Sequence, residues 1–134
     1  MIQRIQSLYM LVAVIASAGL MMYLPMWTAG DKPFMVADNP VYMVGVGLGI
    51  GMVLANLFNF KKRKLQVVLN RLVIFISFAV FGFMLYEYIN LPTEPQVVFG
   101  LGLVNPLVMI VGLSLANKAI IKDEELIRSA DRIR

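Results

Sequence analysis

Four long apolar runs decide what this chain can become. Ile5 to Leu24, Val41 to Phe60 and Val97 to Ala116 carry no charged residue, and Leu65 to Ile89 carries only Arg71 and Glu87, near its two ends. At a rise of about 1.5 Å per residue, twenty helical residues cover about 30 Å, the thickness of a hydrocarbon core. A segment in lipid must satisfy its own backbone hydrogen bonds, so each run predicts a helix. Barrel strands would alternate over about ten residues, and these runs do not. A soluble domain carries about 25% charged residues; here the figure is 15%, with 60% hydrophobic, in only 134 residues. The expected fold is therefore all-α. A four-helix transmembrane bundle occupies 1–117, with helices at about 5–24, 41–60, 65–89 and 97–116, and a cytoplasmic amphipathic helix occupies 118–134.

The connections fix an orientation. Arg4, Lys61, Lys62, Arg63, Lys64, Arg71, Lys118, Lys122, Arg128, Arg132 and Arg134 all belong to one side, and Lys32 alone to the other. The positive-inside bias puts both termini and the Lys61–Lys64 loop in the cytoplasm of a bacterium, with the chain a multi-pass protein of the inner membrane. Tyr23, Trp27, Tyr42, Tyr86 and Tyr88 fall near the outer ends of their runs, as an interfacial aromatic belt would. The longest connection, 25–40, is rich in Pro, Gly and Asp and predicts turns or a small hairpin. In "NLPTEPQ", Pro92 and Pro95 stop helix on either side of Glu94. One rival reading concerns the first run, where "ASAG" resembles a signal-peptide cleavage site after Ala18. The apolar stretch continues through "LMMYLPMW", which favours an intact first helix.

Several chemistries are excluded by absence. The chain has no Cys and no His. Thiolate nucleophiles, disulfides, His-ligated haem, His-rich zinc sites and a His general base therefore fall away. Asp123, Glu124 and Glu125 are consecutive, so on a helix they point different ways and make a poor Mg²⁺ site. No nucleophile–base pair or cofactor motif remains, so the chain is expected to be no enzyme and to bind no cofactor or metal.

The run "GVGLGIG" holds Gly45, Gly47, Gly49 and Gly51 but fits neither the dinucleotide nor the phosphate-loop spacing. Its two overlapping small-xxx-small pairs read as a helix-packing face, as do Gly112 and Ala116 in the fourth run. The same glycines could support a homo-oligomer lining a path for a small solute or ion. Arg71 lies about 10 Å inside the third helix by helical rise, within snorkelling reach of the headgroups; the alternative pairs it with Asn56, Asn59 or a tail carboxylate. Glu87 reads as solvated at the outer end. Asn105–Pro106 reads as a kink within the fourth helix, freeing the Gly102 carbonyl.

The tail from Asn117 alternates charge with an apolar stripe. Ala119, Leu126, Ala130 and Ile133 lie near one helical face with Ile127 at its edge. Its acids and bases nearly balance, which suits a protein partner at least as well as a membrane surface. Leu126, Ile127, Ala130 and Ile133 are the candidate docking residues. "KKRK" (Lys61, Lys62, Arg63, Lys64) reads as a topology anchor against anionic lipid rather than a nucleic-acid contact.

The opening "MIQRIQSLYML" and the ending "ANKAIIKDEELIRSADRIR" together resemble a Bacteroidota family of short four-span membrane proteins catalogued only as a domain of unknown function. The resemblance covers the whole chain. It implies an inner-membrane location and four helices, and no activity. The chain lacks the first-helix membrane Glu expected of small multidrug exporters, and it does not match fluoride-channel motifs. The expected role is a non-enzymatic accessory or scaffold protein that docks a partner through its tail, with the oligomeric conduit as the alternative.

Overall fold

The computed structural model describes residues 2–59, 61–91 and 96–133. Four helices dominate: α1 (Ile2–Tyr23), α2 (Pro40–Leu57), α3 (Arg63–Ile89) and α4 (Asn105–Ile133). Each contains a window long and apolar enough to cross a membrane. Round the bundle, α1 neighbours α4 and α2, while α3 neighbours α2 and α4; the α1–α4 and α3–α4 seams are the most extensive. Antiparallel order brings Gln6 of α1 to Ala119 of α4, and Arg63 at the start of α3 to Asp123 of α4. We call this the basic end and the opposite one the sheet end.

The sheet end departs from an all-α fold. Strands β1 (Trp27–Ala29), β2 (Lys32–Phe34) and β3 (Val97–Phe99) form an antiparallel sheet in the order β2-β1-β3. Gly30, at φ 62°, turns the β1–β2 hairpin. In the second pairing Trp27 faces Phe99 and Ala29 faces Val97.

The expected helix at 97–116 is therefore corrected. Residues 97–99 are strand, Leu101–Val104 is a 3-10 turn, and α4 begins only at Asn105. Val97, Val98 and Phe99 are β-branched and aromatic, and they complete the ladder of β1. Two glycines permit this docking. A Cβ on Gly100 would lie 2.2 Å from the Pro25 carbonyl oxygen, and one on Gly102 would lie 2.7 Å from that of Leu24. Their amides donate to Met26 O (3.0 Å) and Pro25 O (2.9 Å). Pro106 accordingly sits in the first turn of α4, where its missing N–H costs no helical bond, and it makes no mid-helix kink. Helix α2 starts in the same manner: the Asn39 side chain accepts from the Val41 amide, with Pro40 at the first position.

Under the sheet lies one apolar cluster of Met26, Trp27, Val36, Tyr42, Met84 and Leu103. Trp27 (4% exposed) and Tyr42 (2%) are thus core residues rather than members of an aromatic belt, whereas Tyr23 and Tyr86 remain exposed. Trp27 also stacks obliquely on Phe34 and Tyr88, with ring centroids 6.1 and 6.2 Å apart. Glu87 is exposed. A second cluster, centred on Met10, Ala13, Val53, Val73, Met109 and Leu113, fills the middle and the basic half of the bundle.

At the basic end α4 shows no break at 117–118; span and tail are one helix of 29 residues. At about 1.5 Å per residue it is about 43 Å long, well beyond a hydrocarbon core of about 30 Å.

Candidate functional site

In lipid, apolar side chains gain little by leaving the solvent, so helix association rests on close packing and on polar contacts between helices. Both are concentrated here on the inward faces. The glycines of α2 divide. Gly45 and Gly49 face α3, where an added Cβ would meet Val80 Cγ2 at 2.7 Å and Val73 Cγ1 at 3.5 Å, respectively. Around Gly47 and Gly51 an added Cβ would meet nothing within 4 Å. Two residues turn a helix by about 200°, so the two pairs occupy opposite sides. On α4, Gly112 presses against Ala13 of α1, with a built Cβ only 2.5 Å from the Ala13 methyl. One turn on, Ala116 is fully buried.

The polar residues of the spans converge at two levels. Near the sheet end, the Ser17 hydroxyl donates to Asn105 Oδ1, and Asn105 Nδ2 donates to the Ser17 carbonyl at 2.9 Å. This pair ties α1 to the start of α4. Beside it, Ser17, Gly45, Gly49, Ser77, Asn105 and Pro106 border a void of about 10 Å³, room for one water.

The second level, in the basic half, is a cluster of four amides. Asn56 Nδ2, on α2, donates to the Gln66 carbonyl and to Asn70 Oδ1, both at 2.9 Å. Gln66 Nε2 reaches back to the Asn56 carbonyl at 3.3 Å. Asn70 Nδ2 donates to Asn117 Oδ1 at 2.9 Å, carrying the chain of bonds to α4. Asn56, Gln66 and Asn70 are all at most 1% exposed. Two acceptors, Asn56 Oδ1 and Gln66 Oε1, have no partner. The cluster staples three helices, and none of its members titrates.

Below it, Arg63 Nη2 lies 3.1 Å from Asp123 Oδ2. Asp123 is 7% exposed, so one residue of the basic loop is engaged with the tail. Lys61, Lys62 and Lys64 are exposed. Among the described residues this is the one ion pair, and no group of three or more acidic side chains could hold a metal ion.

Arg71 does not join the amides. It is exposed and lines a cleft between α3 and α4 with Lys118, Lys122 and Glu125. Beyond Asp123 the last ten residues of α4, 124–133, continue past the buried ion pair. Leu126 is 51% exposed and Ile127 43%. Ala130 is exposed too, and the side chain of Ile133 lies outside the described residues.

The sequence names Asn56 only as a possible partner of Arg71, though it carries a signal for the whole cluster. Asn56, Gln66, Asn70 and Asn117 are among the amides that interrupt or border apolar runs near the basic loops, and Gln66 and Asn70 are four apart on one helical face.

No curated protein and no solved structure matches the chain. A family described as "Domain of unknown function (DUF4293)" matches residues 2–133. The match spans the bundle, the sheet and the tail alike, and the chain belongs to this family.

Proposed function

We propose that the protein resides in a bacterial inner membrane with both termini cytoplasmic. There it acts without catalysis, as a small accessory or scaffold subunit that docks a cytosolic protein on the projecting end of α4. The observation that carries this reading is the length of α4 beyond its last anchor. From Asp123 to Ile133 the helix runs on for about 15 Å, with Leu126 and Ile127 half exposed between charged neighbours. Apolar side chains at i and i+1 or i+4 on a projecting helix suit a groove on another protein. The amide cluster supports a structural interior: its groups are neutral and largely bonded to one another.

The test is photo-crosslinking from positions 126 and 127 in native membranes, with Leu126→Ser/Ile127→Ser as the comparison. Both positions lie past the Arg63–Asp123 pair, so the bundle stays anchored. The reading expects a discrete crosslinked protein that the double variant loses. Crosslinks to lipid alone, or a partner retained by the double variant, would overturn it.

A conduit built by oligomerisation is favoured by a different observation, the open outward faces of Gly47 and Gly51. Reconstituted flux abolished by Gly47→Leu would select this reading over docking.

A further inference from the structure

The cleft between α3 and α4 at the basic end has a feature that neither helix packing nor tail docking uses. Asn70 and Asn117 are joined across the seam by a 2.9 Å hydrogen bond. The residue following each is a cation: Arg71 on α3 and Lys118 on α4. That hydrogen bond therefore holds the two cations at about one depth, on either side of an open cleft of about 800 Å³. Lys122, one turn further along α4, lines the same cleft. Arg71, Lys118 and Lys122 are exposed, and among the described residues none is ion-paired. Glu125 is the single carboxylate on the cleft and stands at its outer rim, about 10 Å by helical rise from Lys118.

The surroundings change character along the bundle. Ser114 and Asn117 add polar groups level with the cations. Ile74 lines the cleft on its sheet-end side. Beyond it the exposed side chains of α3, Phe75 and Phe78, are apolar, while Val111 and Leu115 of α4 line the neighbouring groove against α1. A guanidinium and two ammonium groups above an apolar wall match an amphiphile with an anionic head. Arg offers a phosphate a planar two-pronged donor, and Lys adds point charge. Basic pockets between spanning helices at the cytoplasmic side suit anionic phospholipid heads.

The geometry points to a binding site for the phosphate of an anionic phospholipid, held by Arg71 and Lys118 with Lys122 above, its acyl chains lying along Ile74 toward the sheet end. The inference rests on the membrane-spanning reading and is independent of docking at Leu126 and Ile127.

The experiment measures binding of fluorescent phosphatidylglycerol to the full chain in a neutral detergent. Unlabelled phosphatidylglycerol, phosphatidylethanolamine and inorganic phosphate serve as competitors. Removing two charges by Arg71→Gln/Lys118→Gln is expected to weaken binding about tenfold or more. Lys61→Gln/Lys62→Gln removes the same charge outside the cleft; the anchoring by this loop acts on an anionic bilayer surface, absent in neutral detergent, so binding is expected to stay within about twofold of the parent. Arg71→Lys keeps the charge but loses the two-pronged donor, and is expected to weaken binding less than Arg71→Gln/Lys118→Gln. All four residues are exposed, so the fold is expected to persist, and an unchanged thermal midpoint verifies that. Equal loss in both double variants would mean diffuse attraction to the basic end and would overturn the proposal. Full displacement by millimolar inorganic phosphate would assign the cleft to free phosphate and overturn it as well. Equal competition by phosphatidylethanolamine would do the same.

Discussion

Gly112→Ala should loosen the bundle more than any single methyl elsewhere on its inward faces. Its built Cβ stands 2.5 Å from Ala13 Cβ and 3.4 Å from Ala13 Cα. Carbon atoms rest at about 3.5–4.0 Å, so α1 and α4 must part by about 1 Å. Neither methyl has a rotamer through which to escape, and Ala13 is 2% exposed within the main core cluster. Overpacking of this kind costs about 1–3 kcal/mol. Helix propensity returns up to about 1 kcal/mol of that, because Gly is the weaker helix former. The net expectation is a loss of about 1–2 kcal/mol. Titrating the purified protein with a denaturing detergent in mixed micelles measures it. The companion Ala13→Gly removes the opposing methyl, so Gly112→Ala in that background should lose its penalty, giving a coupling of about 1–2 kcal/mol. A Gly112→Ala protein as stable as its parent, or one equally destabilised whether or not Ala13 is present, would refute the reasoning.

Along α2, Gly45→Ala should destabilise by about 1 kcal/mol through its 2.7 Å approach to Val80, while Gly47→Ala, facing open space, should stay within about 0.5 kcal/mol in the same titration. Equal effects would contradict the placement of the two glycines. Asn70→Ala removes both 2.9 Å bonds of its amide, and at about 0.6–1.7 kcal/mol for each such bond in a membrane bundle it should cost about 1–3 kcal/mol; an unchanged unfolding midpoint would argue against the cluster. Arg63→Gln should lower thermal stability more than Asp123→Asn. The first leaves a carboxylate that is 7% exposed without its partner, at about 3 kcal/mol, the low end for a buried pair, while the second frees an arginine that already reaches water. The reverse order would mean that the pair is held for some other reason.

The helices are legible because lipid demands a sustained apolar length, and that demand is local in sequence. Val97–Phe99 is apolar too and reads as the start of the fourth helix until it is paired with β1, some 70 residues earlier. Strand pairing at that separation leaves no periodic trace, so the position of Pro106 in a first turn rather than at a kink depends on a distant partner. Trp27 and Tyr42 read as belt residues from their place near run ends, yet Trp27 belongs to the sheet and both are buried in the cluster beneath it. The split of the α2 glycines was available in principle, since two residues turn a helix by about 200°. The amides are a subtler case. Asn70 stands beside Arg71, and a charge draws more notice than an amide. Which of the two faces inward is set by the rotation of α3 against α2 and α4, a property of the assembled bundle. The same rotation turns Arg71 outward beside Lys118, a juxtaposition that no spacing along the chain discloses.

The central claim is an even number of crossings that leaves the basic loop and the far end of α4 on one side and the small sheet on the other. The chain has no cysteine of its own, so single cysteines report cleanly. Labelling of D31C, K61C and R128C with a membrane-impermeant maleimide in intact spheroplasts tests the claim most directly. D31C is expected to react at once, and K61C and R128C only after the membrane is opened. Reaction of R128C together with D31C from outside, with K61C protected, would contradict it.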